Sequence, residues 1–175
     1  MVDRLYYLRT AKKTSPTRLI VVVDQSGSMV DAMVQSTILA SIFTGLPNVD
    51  VHLVAFDTRV LDLTPWVHDP FEVLLRTKLG GGNDMRLALD MAAPYIESPR
   101  HTAVVVISDF YDWSEFFPIL KQWKESGCQL IPVGSLHSTG YFVVNPEYRD
   151  KFKQLGTPIL HGSPKKLIEQ IKKVM

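Results

Sequence analysis

Val21-Val22-Val23-Asp24-Gln25-Ser26-Gly27-Ser28-Met29 is an apolar, β-branched run that ends in a carboxylate and passes into a glycine-containing turn with two hydroxyls. Three successive valines suit a strand covered on both faces, as at the centre of a parallel sheet. The residues after the strand admit two readings. In one, Asp24, Ser26 and Ser28 turn their oxygens the same way and form a nest for a hard divalent cation. Magnesium takes oxygen ligands in octahedral geometry and keeps positions open for water or a partner. In the other, the strand runs into a helix whose N-terminus is capped by Ser28, and nothing binds.

Outward from this stretch, short apolar runs alternate with longer amphipathic ones, the pattern of a mostly parallel sheet with helices on both faces. Strands are expected at Leu19 to Val23, Val51 to Phe56, Thr102 to Ser108 and Gln129 to Val133, with Pro158-Ile159-Leu160 as a last short one. Asp57-Thr58-Arg59 reads as a turn into an antiparallel edge strand, Val60-Leu61-Asp62-Leu63. A helix is expected from Met29 to Thr44, stopped by Gly45-Leu46-Pro47, and a short one from Asp69 to Arg76. Met85, Ala88, Leu89, Ala92 and Ile96 recur at helical spacing until Pro94 kinks or ends that helix. Ser114 to Ser126 carries Phe117, Leu120 and Trp123 on one stripe, and Tyr148 to Leu155 reads as a further helix. Ser163-Pro164 starts the last, an N-cap and then a proline at the first helical position, with Leu167, Ile168, Ile171 and Val174 facing the sheet. Residues 1–16 read as an N-terminal extension or linker, and residues 17–175 as the domain.

Three segments, in order, resemble the metal-ion-dependent adhesion site of von Willebrand factor type A (VWA) domains. Asp24-Gln25-Ser26-Gly27-Ser28 is similar to that family's first segment, Asp-x-Ser-x-Ser. Leu79-Gly80-Gly81-Gly82-Asn83-Asp84 resembles its glycine-rich second loop, which normally has threonine where Asn83 stands. Val104-Val105-Val106-Ile107-Ser108-Asp109 resembles the third, a buried strand ending in aspartate. The resemblance runs from about Leu19 to the C-terminus and implies a Rossmann-like three-layer α/β sandwich, its central sheet mostly parallel with one antiparallel edge strand. It implies that Asp24, Ser26 and Ser28 hold the cation, that Asn83 and Asp109 complete or support the sphere, partly through water, and that an open position accepts a carboxylate from a partner protein. Magnesium or manganese suits so few protein ligands better than calcium. Asn83 keeps an oxygen acceptor on a longer amide, which either ligates directly or holds a water. The triple glycine allows the backbone to approach a bound ion, and Asp84 reads as a helix N-cap in preference to a ligand.

Ile107-Ser108-Asp109-Phe110-Tyr111-Asp112 also looks like the bacterial CoxE-like branch of these domains. Members of that branch are associated with MoxR-type AAA+ ATPases, so the resemblance implies an adaptor in metal-centre assembly or complex remodelling. The ATPase is not in this chain, because Gly80-Gly81-Gly82 lacks the Lys-Ser/Thr ending of a phosphate loop. Phe110, Tyr111 and Trp113, with Trp66, read either as an aromatic rim around the site or as core beneath the loop. Asp112 reads either as an acceptor supporting a ligand or as a solvated turn residue.

Composition narrows the function classes. At 175 residues the chain has the size of one large domain, enough to bury about 70% of its unfolded surface. With 19 Lys+Arg against 18 Asp+Glu the net charge is +1, which points to neither nucleic acid nor an anionic membrane as partner. The apolar runs are strand-sized, short of the ~20 residues that span a bilayer. Cys128 is the single cysteine and reads as a small buried hydrophobe in a reducing compartment, so a cytoplasmic location is expected. The expected class is a binding module and not an enzyme. Magnesium between two carboxylates is also able to activate water for phosphoester hydrolysis. Against that alternative, no acidic residue stands two beyond Asp24, and none of the five histidines lies in a motif or at triad spacing. A metal-free structural module is the third reading, made possible by Asn83.

Overall fold

The structure, a computed structural model, describes residues 17–26, 34, 37, 40–77, 81–136 and 142–174. Five strands form one sheet in the order β3-β2-β1-β4-β5: β1 (Thr17–Asp24), β2 (Val49–Phe56), β3 (Val60–Asp62), β4 (Thr102–Ile107) and β5 (Gln129–Val133). All neighbours are parallel except β2 and β3, whose antiparallel pairing sets Phe56 opposite Val60 at the sheet edge. The helices are α1 (Pro70–Arg76), α2 (Met85–Ala92), α3 (Phe117–Ser126), α4 (Pro146–Gln154) and α5 (Pro164–Val174). This is the mostly parallel sheet with one antiparallel edge strand that the apolar pattern implied.

Alternation along β1 divides the core into two layers. Leu19, Val21 and Val23 join the cluster holding Ala40, Phe43, Val73, Leu167 and Ile171, while Ile20 and Val22 join Met85, Leu89, Leu120, Trp123 and Phe152. Helices therefore cover both faces, which is why Leu19 to Val23 of β1 and Ala103 to Ile107 of β4 are apolar at every position. All six residues of β4 are buried, and full burial of a Val or Ile is worth about 1.5–3 kcal/mol.

Local chemistry explains where boundaries depart from the sequence reading. The edge strand ends at Asp62, before Leu63, because the Asp62 carboxylate accepts from Thr64 N at 3.0 Å and turns the chain. The helix expected from Ser114 starts at Phe117, since Ser114 N donates to Asp112 Oδ1 at 2.6 Å and a bend follows. Pro158-Ile159-Leu160 is not a strand. Leu160 makes a single parallel bridge to Val133, Pro158 has no N–H to extend it, and Thr157 N is committed to Phe152 O at 2.9 Å. The region after Gly134 contains an unexpected two-stranded ladder, β6 (Ser135–Leu136) with β7 (Phe142–Val143), and α4 begins two residues early because Asn145 caps it. Of the expected helix from Met29, residues 40–44 are described as helical, with Ala40 and Phe43 buried; most of the rest, and residues 1–16, lie outside the described residues.

Phe152 fastens α4 beneath the loop that follows β4, its ring 5.0 Å from Phe110 and 5.2 Å from Phe117. Phe152→Ala should cost about 3–5 kcal/mol, read as a lower urea midpoint, because these rings close over one another with no route for collapse.

Candidate metal site

β1 and β4 are parallel neighbours, with Val23 opposite Ile107, so both deliver their next residues to the same edge of the sheet. Ligands in open α/β sheets gather at this carboxyl edge. The first of those residues is Asp24, wholly buried. Its Oδ1 accepts from Ser26 N at 2.8 Å and its Oδ2 from Ser108 Oγ at 2.9 Å, and the Ser26 side chain also bonds to it. Burial pushes the Asp24 carboxyl above its ordinary value; the nearby Asp109 charge adds to this, and the bonds from Ser26 and Ser108 oppose it. Asp109 is itself buried, with Oδ1 accepting from Tyr111 N at 3.0 Å and its carbonyl from Asn145 N at 2.9 Å.

The segment after Asp109 is held on three sides. Phe110 is fully buried with φ +60°, a left-handed conformation that costs a non-glycine residue about 1–3 kcal/mol. It is fixed by its own N–H on Ser108 Oγ at 2.9 Å and by Asn145 Nδ2 on its carbonyl at 3.2 Å. Asn83 Nδ2 donates to Tyr111 O at 2.9 Å. Asp112 Oδ2 accepts from Met85 N at 2.7 Å, so a carboxylate from one loop sits on the first turn of α2, where negative charge is favoured.

The structure thus brings Asp24, Ser26 and Asp109 together and ties Asn83 to the same loop through its amide nitrogen, which leaves the amide oxygen as its ligand-capable atom. Ser28 lies outside the described residues. The glycine loop makes its close approach to protein: a Cβ on Gly82, which has φ +79°, would stand 2.9 Å from Thr58 Cγ2. Asp84 caps α2 only through a long 3.4 Å bond to Leu87 N, and Asp112 supplies the stronger contact. Asp112 is buried and is not a solvated turn residue. Of the proposed rim, Phe110 belongs to the core and Trp66 lies under the Arg76 guanidinium, 3.8 Å from its centre; Tyr111 and Trp113 are exposed.

Ser108 and Asn145 were not singled out from sequence as parts of this site; Asp112 was, as an acceptor supporting a ligand in one of its two readings. A hydroxyl closing an otherwise apolar strand was the available signal for Ser108. Among the described residues no group of three or more His, Cys, Asp and Glu side chains could hold a metal. The donor set is two carboxylates, a hydroxyl and an amide oxygen, all hard oxygen donors, and a divalent cation would offset the mutual repulsion of the two acids.

Comparison with known proteins shows the family and the fold. The model of the family "VWA domain containing CoxE-like protein" matches residues 2–171. Over 162 residues the chain is 33% identical to the uncharacterized protein YehP of Escherichia coli (strain K12), covering 91% of this chain and 43% of that protein. The chain therefore spans less than half the length of that relative. Among solved structures, manganese-loaded TRAP of Plasmodium vivax superposes with TM-score 0.68 at 14% identity, covering 91% of this chain and 73% of that one. Proximal thread matrix protein 1 of the mussel byssus, with a zinc-occupied MIDAS motif, superposes with TM-score 0.59 at 11% identity, covering 90% and 44%. These two likenesses are of fold.

Because the folded-state Asp24 carboxyl titrates above its unfolded value, its ionisation costs the metal-free fold stability as pH rises through that range. Asp24→Asn should therefore raise the urea midpoint in EDTA at pH 7, with the gain shrinking on acidification, while removing any stabilisation by magnesium.

Proposed function

Because this chain belongs to the family of VWA domain containing CoxE-like proteins, we propose that it is a metal-dependent protein–protein interaction module whose cation is held by Asp24, Ser26, Ser28, Asn83 and Asp109. The observation that carries this reading is the buried Asp24 carboxyl, bonded to Ser26 and Ser108 and raised in pKa by burial with the Asp109 charge beside it. When bound, the ion supplies an electrophilic position that takes a carboxylate from the partner. The chain's own residues do the rest. Ser26 N and Ser108 Oγ fix the rotation of the Asp24 carboxylate, Tyr111 N and Asn145 N fix Asp109, and Asn83 holds the second loop against the third. Magnesium or manganese is the proposed ion; the manganese of TRAP and the zinc of the mussel protein support a divalent metal without selecting it.

The partner is proposed to be a protein offering an acidic residue, and the CoxE-like resemblance favours a MoxR-type AAA+ ATPase. Binding is preferred to catalysis because the family that matches is one of VWA domains and the Asp24 carboxyl is engaged by Ser26 and Ser108. His52, in β2, is stacked on Tyr95 at 4.0 Å and bonded to Asp50. Turnover of generic phosphoesters would favour the hydrolase instead, and silence in a divalent-ion titration the metal-free module. A cytoplasmic location is proposed on the buried single Cys128. No helix among the described residues is long and apolar enough to cross a membrane.

Partner capture from a bacterial lysate should be lost in EDTA and with Asp24→Ala, while the melting midpoint in EDTA changes only by the mass-action term, about 2.7 kcal/mol of stability at 100 times Kd. Unfolding by chelator would make the metal structural. Capture indifferent to chelator would move the interaction to another face.

A further inference from the structure

The loop after Asp109 presents more than a metal ligand. Trp113 is 99% exposed and Tyr111 50%, which is costly for large rings unless something covers them. Between this loop and the start of α4 lies an open cleft of about 210 Å³, lined by Tyr111, Asp112, Trp113, Asn145, Glu147 and Tyr148. It adjoins the metal site directly, because Tyr111 N holds the Asp109 carboxylate and Asn145 N holds the Asp109 carbonyl. Its walls do not depend on a ligand for their position. Asp112 is pinned by Met85 N and Ser114 N, Asn145 by Asp109, Phe110 and Glu147, and Tyr148 packs on Phe116 at 4.7 Å.

The chemistry of these walls selects a cation. Three aromatic rings are attractive to a guanidinium or ammonium through their faces, and two carboxylates, Asp112 and Glu147, lie in the same lining. Burial holds the Tyr148 phenol above its ordinary value; Lys151 opposes the shift, and the Glu147 and Asp112 charges add to it. Lys151 gives the precedent within the chain. Its Nζ lies 2.6 Å from Glu147 and 4.7 Å from the Tyr148 ring centre, an ammonium held by one carboxylate and one ring of this set. It offsets one of the two negative charges and leaves to a visitor the Tyr111 and Trp113 rings and the charge of Asp112, whose oxygens already accept from Met85 N and Ser114 N.

We propose that this cleft receives a basic side chain of the partner, an arginine or lysine neighbouring the acidic residue that meets the cation. This rests on the interaction-module reading above and adds the recognition element beside the metal: a partner segment with adjacent acidic and basic residues. The acidic residue alone would be shared by most protein surfaces, whereas the pair is selective.

The test titrates the chain in EDTA with N-acetyl-arginine methylamide, its lysine equivalent and N-acetyl-glutamine methylamide, following the backbone amides of Asp112 and Glu147 by NMR. The basic derivatives should produce saturable shifts with about two- to fivefold tighter binding than glutamine. The preference should disappear in Trp113→Ala, whose side chain packs on nothing, and weaken in Glu147→Gln. Equal shifts from all three derivatives, or a basic preference that survives Trp113→Ala, would overturn the inference. A second arm compares N-acetyl-Asp-Arg and N-acetyl-Asp-Gln methylamides with and without magnesium. Tightening by magnesium for both dipeptides without an arginine preference would sink the cleft and leave the metal reading intact. An arginine preference with no effect of magnesium would keep the cleft and sink the metal reading.

Discussion

The hydrogen bond from Ser108 to Asp24 joins the ends of β1 and β4, and the site's geometry follows from it. Ser108 Oγ donates to Asp24 and accepts from Phe110 N, so one hydroxyl links the carboxylate that closes β1 to the turn that redirects β4. The strands place the two acids close together, and the hydroxyl determines how they face. Without that donor, the buried carboxylate would keep only its bonds from Ser26 to offset the cost of desolvation. With it, Asp24 remains an acid under stress, which suits a group that is to be neutralised by a cation.

A second tier of contacts turns that pair into a surface. Asn83 and Asn145 come from two other connections and bond the 109–114 loop, whose own Asp112 accepts from Met85 N at the start of α2. The strained Phe110 is tolerable because its ring is buried against Phe116 and Phe152 while its backbone is held at both ends. Rigidity in the loop is what leaves Tyr111 and Trp113 exposed.

Much of this was legible in the sequence, and the limits have a physical origin. The strand Val21-Val22-Val23 and the run Val104 to Ile107 announced a doubly covered sheet because every position is apolar, and the aspartates that end them marked the carboxyl edge. Asn83 was legible as a site residue only through its loop. Its donation to Tyr111 O spans 28 residues of sequence, as Asp112 to Met85 spans 27 and Ser108 to Asp24 spans 84. Such partners depend on register between elements, which periodicity does not encode. Phe110 and Tyr111 were indistinguishable as neighbouring aromatics; the left-handed turn at Phe110 sends one to the core and the other to the surface. Gln25 is also buried, and its amide makes no hydrogen bond among the described residues. Such a group costs about 1–3 kcal/mol, a local sacrifice of stability in the segment that carries the ligands.

The claim that these three connections build one cation site is tested most directly by anomalous diffraction at the manganese edge from crystals grown or soaked with manganese. The account predicts a peak between the Asp24 and Asp109 carboxylates, within ligand reach of Ser26 and absent in Asp24→Asn. A peak elsewhere, or none in crystals where no neighbouring molecule covers the 109–114 loop, would contradict it.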